Sequence, residues 1–227
     1  MNRPQRIIVG ITGASGALYA RRVLQLLYMA GVEIHLVVST PGKRLLADEL
    51  GITDRDPLTL LGLPGATKPE RNGEGTGRIV LHDEEMHPGN PDRLVVHDNR
   101  DIGASIASGS FEHDGMIIVP CSSNTLGTIA AGIGQNLLTR AAAVALKERR
   151  PLVLCHRETP TSLIDARNIV TVIEAGAIVA PANPGLYLKP TRVEQIVDFL
   201  AGRWLDLLGV EHDLPVRWDE YLETLKK

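Results

Sequence analysis

KERRPLVLCHRETP, residues 147–160, joins the end of a cationic helix to a short apolar strand, Leu152–Cys155, and then to Arg157 and Glu158 side by side. Helix, buried strand and polar loop in that order are one unit of an α/β sheet. In open α/β sheets, ligands sit outside the carboxyl ends of the strands. An Arg–Glu pair at that edge offers an anion clamp beside a proton carrier. A surface ion pair is the other reading of these two residues.

The same alternation runs outward from this unit. Arg6–Ile11 is an apolar run bounded by Thr12–Gly16, which predicts a fully buried parallel strand and a tight turn. Ala17–Met29 carries Leu18, Val23, Leu24 and Leu27 at helical spacing, with Gly31 as the stop. A second strand is expected at Glu33–Val38 and a helix at Gly42–Leu50. Residues 51–93 are rich in Gly, Pro and charge; they predict a polar loop excursion with a short strand at Arg78–Leu81. Further strands are expected at Leu94–Val96, Met116–Val119, Leu152–Cys155 and Ala177–Val179. One helix, or two broken at Gly132 and Gly134, runs to Arg149, and a final amphipathic helix covers Val193–Leu208. Apolar strands alternating with helices predict a three-layer, doubly wound parallel sheet in a single domain over residues 1–227.

Composition narrows the function classes. With 227 residues, 44% hydrophobic and 22% charged, the chain suits a globular fold with a sizeable core. Aromatic residues make up 4%, so Val, Ile, Leu and Ala must fill that core. A net charge of −3 with no dense basic cluster argues against a nucleic-acid partner. Cys121 and Cys155 are the only cysteines, too few for a disulfide framework, which points to a reducing cytoplasm. MNRPQRIIVGITGASG has basic residues ahead of an apolar run, as a leader would. That run is short and interrupted by Gly, Thr and Ser, so it reads as a first strand. No stretch has the apolar length of a membrane span.

Four constellations could carry chemistry. Gly10-Ile-Thr-Gly13-Ala-Ser-Gly16 lies at a strand-to-helix turn, where backbone N–H groups and the helix dipole favour an anion. Its spacing is GxxGxxG, and Ser39 and Thr40 stand where a dinucleotide site needs an acidic ribose ligand, so a mononucleotide fits better. Pro120-Cys-Ser-Ser-Asn-Thr125 sets Ser122, Ser123, Asn124 and Thr125 at a strand mouth, suited to a phosphate or a flavin edge. Arg140 and Lys147, two helical turns apart, share a helix face at about 10 Å. Tyr187 follows the last strand beside Arg157–Glu158, where its hydroxyl could reach a phosphate oxygen; core filling is the alternative. His82, Asp83, Glu84, Glu85 and His87 form a metal-like cluster, but without HExxH spacing, and no metal is expected.

On TGASGA (Thr12–Ala17), DIGASIASGSF (Asp101–Phe111), PCSSNTL (Pro120–Leu126) and LLTRAAAVALKERRPLVLCHRETP (Leu137–Pro160), the chain resembles the flavin prenyltransferases, UbiX-like proteins formerly called phenylacrylic or hydroxyarylic acid decarboxylases. The likeness spans nearly everything outside 51–93. It implies a flavodoxin-like fold, FMN as the flavin, and a homododecamer with sites at subunit interfaces. It also implies metal-independent transfer of a dimethylallyl group from dimethylallyl phosphate to N5 and C6 of reduced FMN. The product, prenylated FMN, would serve a UbiD-like decarboxylase.

By the same resemblance, Gly13, Ala14 and Ser15 contact FMN, with Ser15 near N5. Ser39, Ser122, Ser123, Asn124, Thr125 and Arg157 hold the rest of it. Arg140, Lys147, Tyr187 and Arg203 receive the donor phosphate, Glu158 is the acid–base residue, Glu49 is a further site carboxylate, and Trp218 is a C-terminal aromatic. Ser123, Asn124 and Leu186 depart from the family pattern, which leaves donor specificity open. Two other readings share the flavin: an FMN-dependent oxidative decarboxylase of the cysteine-decarboxylase type, which needs an active-site His, and a flavin carrier without turnover. An NAD(P) reductase lacks its acidic ribose ligand and a Tyr-x-x-x-Lys pair.

Overall fold

In the computed structural model, residues 3–53, 56–62 and 93–214 are described. They form a six-stranded, all-parallel sheet: β1 (Arg6–Ile11), β2 (Glu33–Val38), β3 (Leu94–His97), β4 (Gly115–Cys121), β5 (Leu152–His156) and β6 (Ile178–Val179). The order is β3-β2-β1-β4-β5-β6. Leaving out the edge strand β3, this is the 2-1-3-4-5 order of flavodoxin-like sheets. The winding reverses between β1 and β4, which pair from Ile7↔Gly115 to Gly10↔Ile118. A switch point of this kind leaves a crevice at the carboxyl ends of the two strands.

Both faces of the sheet are covered, so the strands are apolar throughout rather than alternating. Ile7, Val9 and Ile11 of β1, with Ile117, Val119 and Val153, pack against four helices on one face. These are α1 (Ala17–Met29), α2 (Thr40–Leu50), α3 (Pro57–Leu61) and α7 (Val193–Leu207). Ile8, Val37, Met116, Ile118, Leu152 and Leu154 face α4 (Ser123–Ala130), α5 (Leu137–Lys147) and α6 (Leu163–Glu174). Gly10 lets α5 come close: a Cβ there would stand 3.2 Å from Leu138 Cδ1.

β1, α1 and β2 have the expected bounds. The structure differs elsewhere for local reasons. Helix α2 starts at Thr40, ahead of Gly42, because the Ser39 hydroxyl accepts the Gly42 N–H at 3.0 Å and caps it. β4 runs past Pro120 to Cys121, with a register irregularity between Ile118 and Cys121 that accommodates a residue without an N–H. The stretch from Ser123 to Arg149 is two helices, parted near Gly132, whose φ of 69° suits glycine. The excursion contains α3, whose Leu60 and Leu61 are buried. The strand expected at Arg78–Leu81 and the His82–His87 cluster lie outside the described residues. α6 was not expected. Its outer residues Leu163, Ile164, Val170 and Ile173 are apolar and exposed, which blurs the helical period.

Candidate active site

Thr12 joins the two strands at the switch point. Its hydroxyl donates to the Pro120 carbonyl at 2.8 Å and accepts the Ser122 N–H at 2.8 Å. Ser39 N–H donates to the Ile11 carbonyl at 3.0 Å, so the ends of β1, β2 and β4 are laced together by backbone and hydroxyl groups. Gly13 passes so close to Pro41 that a Cβ would lie 2.4 Å from Pro41 Cβ. Between these loops opens a cleft of about 380 Å³, floored by Thr12, Gly13, Ser122 and Thr125 and walled by Ser39 and Asn124. The Ser122 hydroxyl accepts the Thr125 N–H at 3.3 Å and caps α4.

Asn99 and Asn136 also line the cleft, although the sequence reading passed over both. Asn136 caps α5 by accepting the Thr139 N–H at 3.0 Å, and an Asn ahead of an apolar run was a usable signal. Asn99 accepts the Leu138 N–H at 3.0 Å from a loop after β3, a contact that only the fold creates.

The anion expected at the start of α1 belongs to the chain itself. Glu49, at the end of α2, accepts the N–H groups of Gly16 at 3.1 Å and Ala17 at 2.7 Å. A phosphate is therefore not needed to satisfy these N–H groups.

Arg157 and Glu158 follow β5 at the same edge. The Arg157 N–H donates to the Cys121 carbonyl at 3.1 Å, and Glu158 Oε1 accepts the Thr159 N–H at 3.1 Å. Arg157 Nε is buried without a hydrogen-bond partner, a cost that a bound acceptor would remove. Tyr19 lies near Arg157; burial raises its phenol pKa and the guanidinium opposes the rise. Burial pushes the Cys121 thiol up to about 12, which favours the neutral thiol over the thiolate. Behind the cleft, His156 Nε2 stands 3.0 Å from Ser123 Oγ.

The sequence profile of the family described as Flavoprotein matches residues 1–205. Flavin prenyltransferase UbiX of Thermoplasma acidophilum is 41% identical over 213 residues, 94% of this chain and 99% of the relative. The chain belongs to the UbiX flavin prenyltransferase family. A structure described as AnUbiX (PadA1) in complex with FMN and dimethylallyl pyrophosphate shares 37% identity, with a TM-score of 0.74 over 92% of this chain and 94% of that one. A dodecameric FMN-dependent UbiX-like decarboxylase from Escherichia coli O157:H7 is 36% identical, with a TM-score of 0.75 over 94% and 99%. The cysteine decarboxylase TvaF, 16% identical with a TM-score of 0.52 over 78% and 89%, shares the fold alone.

Five of the residues expected to hold the flavin come together at one cleft. Gly13, Ser39, Ser122, Asn124 and Thr125 line the cleft, while Ala14 and Ser15 continue the turn that Gly13 opens. The neutral hydroxyl and amide lining, the close approach at Gly13 and the orphaned Arg157 Nε together fit FMN. The residues expected to receive the donor phosphate do not gather there. Arg140 is exposed in the first turn of α5, next to Thr139 at the cleft. Lys147 ends α5, near the start of β5, and pairs with Glu148 at 3.2 Å. Tyr187 packs edge-on against Phe199 at 5.5 Å. Arg203, one turn beyond Phe199, pairs with Asp206 at 3.0 Å. α7 ends where the strands begin, with Gln5 Nε2 donating to the Leu208 carbonyl at 3.3 Å. Lys147 and Arg203 thus lie toward the sheet edge opposite Arg157 and Glu158. Trp218 is outside the described residues. Among those residues no group of three His, Cys, Asp or Glu is placed to hold a metal, and no helix is long and apolar enough to cross a membrane.

Proposed function

We propose that this protein transfers a dimethylallyl group from dimethylallyl phosphate to N5 and C6 of reduced FMN, making prenylated FMN for a UbiD-like decarboxylase in the cytoplasm. One observation carries the reading: Arg157, with its orphaned Nε, and Glu158 stand at the switch-point edge of a chain 41% identical to a flavin prenyltransferase along nearly its whole length. Bound reduced FMN supplies the electron-rich ring that traps an allylic carbon.

The chain's own groups do the rest. Gly13, Ser39, Ser122, Asn124 and Thr125 hold the flavin, and Arg157 gives its Nε–H to a flavin acceptor. Cationic donors neutralise the departing phosphate by charge already in place. With Oε1 held by Thr159, the Glu158 carboxylate takes the proton leaving flavin C6 or hands one to the phosphate.

Lys147 stands at the far end of α5, which spans about 16 Å, and Arg203 stands in the last turns of α7, so neither lies at this edge of its own chain. The donor half of the site is therefore completed by other copies in a homododecamer. The dodecameric Escherichia coli relative supports this arrangement, as does the exposed apolar face of α6. Incubation with reduced FMN and dimethylallyl phosphate without oxygen, followed by mass spectrometry of the flavin, should show the gain of one C5H8 unit. A parallel incubation with the pyrophosphate identifies the donor. Unmodified flavin from a protein that still binds FMN tightly would count against transfer and for the carrier or the oxidative decarboxylase.

A further inference from the structure

The side chains of Ser123 and His156 meet beside the segment that carries Arg157 and Glu158, with Asp165 nearby. Ser123 begins α4, His156 ends β5, and Asp165 stands in the first turn of α6; the last two are buried. Ser123 Oγ lies 3.0 Å from His156 Nε2. Hydrogen bonding, chiefly from the Ser162 hydroxyl, holds the Asp165 carboxyl below the usual carboxylate range.

Either partner of the Ser123–His156 pair can be the donor, according to the tautomer of the ring. Burying such groups is costly unless the bond between them is made, so the contact favours one placement of the two side chains.

The segment beside this contact is the one that carries the chemistry. His156 immediately precedes Arg157. On the far side, the Ser162 hydroxyl and N–H bind Asp165 Oδ2 at 2.6 and 3.1 Å. Residues 157–161 are thus flanked by Ser162, bonded to Asp165, and by His156, bonded to Ser123. That residue follows Ser122, which caps α4 and lines the cleft. Ser123 itself does not line it.

We infer that the Ser123–His156 contact is a buried tether that sets Arg157 and Glu158 against the flavin-holding loop, so that Ser123 and His156 act as positioning residues for prenyl transfer. The positioning role rests on the transfer reading above; the tether does not. A misplacement of about 1 Å at reacting groups costs on the order of 10²-fold in rate.

The test uses the full-length, FMN-loaded protein as wild type, Ser123→Ala, His156→Leu, His156→Gln and the Ser123→Ala/His156→Leu pair. Gln keeps an N–H donor near the Nε2 position. Amide exchange over 157–162, read without turnover, should rise in Ser123→Ala by roughly 10-fold while β1 holds its protection. In turnover, Ser123→Ala and His156→Leu should lower kcat by about 10–100-fold, with KM for dimethylallyl phosphate within about 3-fold of wild type. His156→Gln should recover most of the loss, and the pair should be little worse than either single change. Unchanged exchange in Ser123→Ala would remove the tether. Raised exchange with normal kcat, or equal losses in the Gln and Leu variants, would remove the positioning role. A wild type that transfers no prenyl group, yet differs from Ser123→Ala in exchange, would overturn the transfer reading and the positioning role and leave the tether standing.

Discussion

Glu49 accepts the Ala17 N–H at 2.7 Å, so the last turn of α2 caps the first turn of α1. Helix α1 has no side-chain cap of its own, since its N-cap is Gly16, at φ 130°. A carboxylate there meets two otherwise unpaired donors and the positive end of the helix dipole. Glu49→Ala should lose about 1–2 kcal/mol of stability, the size of a lost N-cap with its charge. Glu49→Gln, which keeps an acceptor, should lose less. The denaturant midpoints of the two variants check this, and an Ala variant as stable as wild type would refute the cap.

Glu158→Gln keeps the shape of the side chain and removes its proton chemistry. FMN affinity should stay within about 3-fold, while prenyl transfer should fall about 10²–10⁴-fold, the usual worth of a positioned acid–base group. Flavin fluorescence titration and single-turnover mass spectrometry measure the two separately. Wild-type turnover would end the assignment of Glu158.

Stability should fall as pH drops from about 6.5 toward 4. Burial holds the His113 imidazole down to about 4, the Arg150 cation adding to the shift, while Nδ1 donates to the Gly115 carbonyl at 3.1 Å. Between 4 and the unfolded value the unfolded chain binds more protons, so acid favours unfolding by something on the order of 2 kcal/mol for this residue. Burial moves His35, His97 and His156 the same way and adds to the slope. Glu33, held low by Arg6, adds its own loss only at more acid pH. Melting temperature against pH should therefore slope downward below about 6.5, and His113→Gln should flatten part of it. A flat wild-type profile would contradict the burial of these rings.

Two inactive chains should rescue one another. If a site takes Glu158 from one copy and Lys147 from another, Lys147→Ala and Glu158→Gln are each nearly inactive alone. Oligomers reassembled from an equal mixture should recover about a quarter of wild-type activity, the chance that both donors at a site are intact. No recovery after confirmed subunit exchange would place Lys147 and Glu158 in the same chain's site.

The legible parts of the fold are those where local physics suffices. β1 and β2 are buried on both faces, so each is an unbroken apolar run, and α1 buries a stripe at helical period. The parallel order followed, because strands separated by helices must cross over to pair. α6 escaped because its outer face is apolar, although Ser162 and Asp165 form the capping box that announces it. The division of α4 from α5 needed the backbone at Gly132.

The site divides in the same way. From the sequence by itself came the glycine turn at Gly13, the Ser122–Thr125 loop and the Arg157–Glu158 pair, because strand ends announce themselves through neighbouring residues. Only the tertiary structure decided that Glu49 fills the anion seat of α1, that Asn99 reaches α5, that Ser123 pairs with His156, and that Lys147 and Arg203 lie at the far edge. Each of these joins residues from different elements, and which elements become neighbours is set by strand order and helix packing rather than by local spacing.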